Sequence, residues 1–139
     1  MVWYADRTYD VLDAADYALV TSGTATLETA LFQVPEVVCY AGPGISVMLA
    51  RWLIKVEFIS LVNLVMGRKV VEELIQQELN TENLVGELKA LMGNPERIAR
   101  MKADYAELRE KLGNAGASEN AAEAMVQRIL NPPANTPNA

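Results

Sequence analysis

Between Tyr17 and Ala41 the chain reads YALVTSGTATLETALFQVPEVVCYA. Residues 17–21 and 36–41 are short, almost continuously apolar runs, the texture of strands covered on both faces. Between them, residues 24–33 carry helical spacing and stop at Val34-Pro35, where proline cannot continue a helix. Two strands joined through a helix pair in parallel, with the helix crossing one face of the sheet. This unit restricts the fold more than any other feature, because a buried parallel pair demands helices packed over the sheet.

The flanking sequence extends the pattern. Residues 7–15 read as a short amphipathic helix with Tyr9, Leu12 and either Ala15 or Val11 inward. After the break at Gly42-Pro43-Gly44, residues 45–55 predict a second crossover helix and FISLV, 58–62, a third strand. Beyond Asn63 only helices are expected: 67–77, then 82–92 capped by Asn80 or Thr81, then 95–112 opened by Asn94-Pro95. A last alanine-rich helix runs from Ser118 to about Leu130, and the polar, proline-rich 131–139 reads as a disordered tail. The fold class is therefore α/β, a Rossmann-like parallel sheet with flanking helices followed by a helical C-terminal segment, with 1–130 as one domain. Doubly wound sheets usually have five or six strands, so a sheet of three reads as the back half of something larger.

Composition narrows the chemistry. The 139 residues carry a net charge of −6 and are 51% hydrophobic, which argues against broad nucleic-acid binding. Histidine is absent and there is one cysteine, so Ser-His-Asp and Cys-His catalysis and the common zinc patterns are excluded. Cys39, inside an apolar run, reads as a core residue of a protein from a reducing compartment. No window reaches about 18 uninterrupted apolar residues, the span of a membrane helix. No cofactor or metal is called for, and the expected location is cytoplasmic.

The loop between the first strand and its helix is the candidate site. In open parallel sheets ligands bind beyond the carboxyl ends of the strands, where Thr21 to Thr24 fall. Gly23 permits close backbone approach, and the helix beginning near Thr24 presents unpaired amides to an anion. Helix capping by small hydroxyl residues is the competing reading. Glu28 tilts the choice. A capping box requires Ser or Thr three residues earlier, and that position is Ala25. Glu28 instead lies one turn from Thr24, beside the loop, where a carboxylate accepts hydrogen bonds from vicinal hydroxyls such as those of ribose. Loop and glutamate together describe a nucleotide-sugar site.

SGTATLE at 22–28, followed by VVCY and then by ISLVNLVMGRKVVEELIQ at 59–76, resembles the C-terminal half of lipid-A-disaccharide synthases, glycosyltransferases of the GT-B architecture. The resemblance runs from about Ala5 to Leu112 and more loosely through the last helix. It implies transfer from UDP-2,3-diacylglucosamine to 2,3-diacylglucosamine 1-phosphate with release of UDP, without a metal, at the inner-membrane surface. It implies that Ser22, Gly23 and Thr24 line the diphosphate and Glu28 binds ribose. Asn63 matches an active-site asparagine, and Glu73 and Gln76 match a segment facing the donor. Arg68, a cation at an expected helix start, is a further candidate for phosphate. The sequence departs from the family at Ala41, where an arginine is common, and at Val62, where proline precedes the asparagine.

The implied partners are a UDP-sugar donor, an acylated glucosamine phosphate acceptor, the membrane surface and a second copy as homodimer. The acceptor site and the carboxylate base are expected in an N-terminal domain outside this chain, leaving the chain alone inactive. Two alternatives stay open: another UDP-N-acetylglucosamine-using transferase or epimerase, and a non-catalytic nucleotide- or partner-binding module. Arg51, Trp52 and Lys55 read either as snorkelling from a packed helix or as a membrane-facing patch.

Overall fold

The computed structural model describes residues 2–21, 23–41, 57–113 and 117–131. The predicted helix at 45–55, with Arg51, Trp52 and Lys55, lies outside the described residues, as do Ser22 and the tail from 132 on. Three parallel strands, β1 (Ala18–Thr21), β2 (Glu36–Tyr40) and β3 (Glu72–Ile75), form a sheet in that order. Ala18 aligns with Glu36 and Thr21 with Cys39, while Val37 aligns with Glu72 and Tyr40 with Ile75. All three carboxyl ends therefore open on one edge. Six helices accompany the sheet among the described residues: α1 (Thr8–Asp13), α2 (Thr24–Leu31), α3 (Leu61–Met66), α4 (Thr81–Met92), α5 (Pro95–Leu112) and α6 (Ala117–Leu130). The α/β architecture is the one the apolar runs predict.

The core lies between the sheet and α2 to α5. Val37 and Val38 of β2 meet Ala30, Val62, Val71, Leu91, Met101, Tyr105 and Leu108, all essentially solvent-free. Fully burying such a side chain contributes about 1.5–3 kcal/mol, which explains why the central strand is apolar without alternation. Helix starts follow their caps. Asn80 Oδ1 accepts from the Asn83 amide at 2.9 Å and Asn94 Oδ1 from the Arg97 amide at 2.9 Å, with Pro95 in the first turn of α5. At the end of α2, Gln33 turns left-handed (φ 61°) before Val34-Pro35.

Two expectations fail in one segment. Residues 58–62 do not form the third strand: Ser60 is the N-cap of α3, its Oγ accepting from the Asn63 amide at 3.2 Å. Residues 67–77 are not a helix. Gly67, left-handed at φ 66°, ends α3, and the third strand is Glu72–Ile75. The physical reason is Asn63, whose Oδ1 accepts from both the Val70 and Val71 amides at 2.7 and 3.0 Å. That grip holds the backbone out of a helix and starts it along β2.

Candidate functional site

At the carboxyl edge of the sheet, β1 passes through Gly23 into α2. Gly23 is the N-cap with φ 134° and ψ −161°, a conformation open to glycine and strained for any other residue. Among the described residues no side chain caps this helix start, and no acidic residue occupies its first turn. The buried hydroxyls nearby are spent internally: Thr26 Oγ1 donates to the Gly23 carbonyl and Thr29 Oγ1 to the Ala25 carbonyl, each at 2.8 Å. The first amides of a helix have no intrahelical acceptor. The Thr26 amide donates to the Gly23 carbonyl at 3.2 Å, which leaves those ahead of it, beside the exposed Thr24, at the edge where ligands of such sheets bind.

Glu28 is half-buried one turn further along, and its carboxylate has no partner among the described residues. It borders a largely apolar cleft of about 320 Å³ walled by Val11 and Leu12 of α1, Ala15 just after it, Leu19 and Val20 of β1, and Ala25 of α2. A carboxylate on an apolar wall next to uncapped amides can take a ligand with an anionic group at one end and hydroxyls at the other. The wall supplied by α1 was not foreseen in the sequence. Its signal is the inward face of the first helix, which reads there only as packing.

The other predicted residues distribute unevenly. Gln76 follows β3 directly on the same edge, left-handed at φ 52° and opening a single 3-10 turn. A non-glycine residue held there is strain of the sort that collects at functional edges. Asn63 is fully buried and its amide is used up within the fold. Nδ2 donates to the Val71 carbonyl at 3.0 Å and to Glu73 Oε1 at 2.9 Å, while Oδ1 takes the two amides described above. Glu73 accepts from the Ile59 amide at 3.0 Å and the Ser60 amide at 2.8 Å as well. Both side chains are engaged within the fold.

Arg68 lies elsewhere. It precedes β3 and so sits at the amino edge, a strand length of about 10–13 Å from the α2 loop. There it is held by Asp104 at 2.7 Å and Glu107 at 2.6 Å on α5. Its hydrogen bonds to Glu107 and then Asp104 raise the guanidinium pKa, and Arg68, followed by Lys111, draws the Glu107 carboxyl down to about 2. Arg68 thereby ties α5 to the segment ahead of β3.

Among the described residues no helix is long and apolar enough to cross a membrane. The sequence pattern of lipid-A-disaccharide synthetase matches residues 1–129. A lipid-A-disaccharide synthase from Syntrophus aciditrophicus is 47% identical over 115 residues, covering 83% of this chain and 30% of the relative. Those of Geobacter metallireducens and Nitrosococcus oceani are 36% and 42% identical over 124 residues each, covering 89% of this chain and 32% of theirs. The chain thus spans about a third of the length of the curated relatives it matches.

Proposed function

The chain belongs to the lipid-A-disaccharide synthetase family, and on that premise we propose that it is the donor-binding part of a hexosyltransferase of lipid A biosynthesis. The donor is UDP-2,3-diacylglucosamine, the acceptor 2,3-diacylglucosamine 1-phosphate, and UDP the leaving group. One observation carries the reading: an uncapped helix start behind a glycine at φ 134°, with an unpartnered glutamate one turn along. The amides of α2 hold the diphosphate and stabilise its charge as the anomeric bond breaks. Glu28 accepts the ribose hydroxyls, and Gln76 lies across the edge from the same ligand. The displacement is direct, with the acceptor and its carboxylate base supplied from the part of the family's length that this chain does not span. The full enzyme works as a peripheral protein, and as a homodimer, on the cytoplasmic face of the inner membrane.

Isothermal titration with UDP tests the site. The chain is expected to bind UDP, and Glu28→Ala to weaken binding about tenfold, the scale of one hydrogen-bonded charged group. Gly23→Ala is expected to weaken it too, through the backbone, since no atom lies within 4 Å of the added carbon. Absence of heat with UDP, or an unchanged titration for Glu28→Ala, would leave a partner-binding module as the better description. Catalysis is a separate matter: mass spectrometry of the chain mixed with both substrates should show no disaccharide, and its formation would sink the division of labour proposed here.

A further inference from the structure

The start of α2 divides the carboxyl edge of the sheet into two sides. On the outer side lies the apolar cleft beside Glu28, which among the described residues no part of β2 or β3 lines. On the inner side lie the end of β2 and the residues that follow β3. Cys39 stands opposite Thr21 in the register. Tyr40, one residue further, is therefore level with the chain between Thr21 and Gly23, about 5 Å away across the sheet. Its neighbour on the other flank is Ile75, directly ahead of Gln76. Burial also ends here: Glu36, Val37 and Val38 are buried, whereas Cys39 and Tyr40 are only half-buried. Among the described residues the Tyr40 ring joins neither the hydrophobic core nor another ring, and its hydroxyl has no hydrogen bond. The one aromatic residue of the three strands thus stands between the glycine loop and Gln76, unused by the packing of the fold.

We propose that Tyr40 is the residue against which the donor's hexose lies, and that it makes the site select a nucleotide sugar over the bare nucleotide. The proposal rests on the donor-site reading above and supplies a contact for the part of the ligand that reading leaves untouched. With the diphosphate on the amides of α2 and the ribose hydroxyls on Glu28, the nucleoside occupies the outer side. The diphosphate links nucleoside and hexose through its two ends, so the hexose extends the other way, over the ends of β2 and β3. A pyranose presents C–H bonds on its faces and hydroxyls around its rim. A tyrosine matches both, its apolar ring covering a face while the phenol reaches the rim.

The test titrates UDP and UDP-N-acetylglucosamine, a soluble UDP-hexosamine, into the chain and its Tyr40→Leu and Tyr40→Phe variants by calorimetry. The unaltered chain is expected to bind the nucleotide sugar about tenfold more tightly than UDP, the scale of one aromatic contact. Tyr40→Leu should remove that preference and leave UDP affinity within about twofold, a shift too small for a lost contact. Tyr40→Phe keeps the ring and should keep most of the preference. A preference that survives Tyr40→Leu would place the sugar elsewhere and overturn the proposal. Equal weakening of both ligands would make Tyr40 a residue of the nucleotide or of the fold and overturn it too, as would equal affinities in the unaltered chain. Should Tyr40→Leu fail to fold, saturation-transfer NMR on the unaltered chain decides. Transfer from the protein's aromatic protons to the hexose ring protons supports the contact, and transfer confined to the uridine overturns it. Failure of the unaltered chain to bind UDP would remove the donor-site reading, and the role of Tyr40 with it, and is told apart by appearing before any substitution.

Discussion

Glu36 opens β2 with a side chain fully excluded from solvent and neither carboxyl oxygen hydrogen-bonded among the described residues. The buried Tyr105 ring of α5 lies beside it, its hydroxyl also without a hydrogen bond. Burial pushes the Glu36 carboxyl up to about 9, a rise the nearby phenol only partly offsets, and burial followed by the Glu36 charge raises the phenol. Glu36 is therefore a neutral acid at pH 7. Its folded pKa lies above the unfolded value of 4.5, so between those limits the unfolded chain holds fewer protons. Stability is greatest below pH 4.5 for this group and is lost as pH rises toward 9, by about 3 kcal/mol at pH 7. Urea denaturation between pH 5 and 8 should show this fall in the unaltered chain and a flatter profile in Glu36→Gln. Parallel profiles for the two proteins would mean that Glu36 reaches solvent or a partner in the fold.

At the scale of elements, legibility depended on where the deciding interactions lie. β1, α2 and β2 are readable because their cues are local: unbroken apolar runs, Pro35 as a stop, Gly23 at the turn. So are α4 and α5, whose caps Asn80 and Asn94 sit directly before the helices they start. The segment 57–77 misleads because Val70, Val71, Leu74 and Ile75 have helical spacing, and the force that straightens them is the amide of Asn63, seven and eight residues away. As an edge strand, β3 also lacks the continuous apolar texture of β2; only Leu74 is buried. The site divides in the same way. Gly23 and Glu28 are legible because one turn of helix relates them. The ion pairs of Arg68 are not, because Asp104 and Glu107 follow it by 36 and 39 residues and no local pattern announces them.

For the whole molecule, the question is how much of the chain the cooperative fold includes. Among the described residues every buried hydrophobic one lies between Leu12 and Leu108, and α5 brings the last three, Met101, Tyr105 and Leu108. Arg109 then ties α5 to the end of α2 through the Leu31 carbonyl at 2.5 Å. Beyond that point the described side chains of α6 add nothing to the core. From residue 121 its side chains are exposed, including Met125 at 67% and Ile129 at 77%. A helix that buries no apolar surface contributes little to stability, since helical stability in proteins comes mainly from tertiary packing. Ending the chain after Gly113 should therefore leave the melting temperature within about 1 °C of the original and the UDP titration unchanged. For a domain of this size about 1 kcal/mol corresponds to roughly 4 °C, so a fall of that order would place α6 within the cooperative unit. The same truncation removes four large exposed apolar side chains, Met125, Val126, Ile129 and Leu130. Analytical ultracentrifugation should accordingly find the shorter chain no more self-associated than the longer one, and greater self-association would show that α6 shields a surface of the folded body.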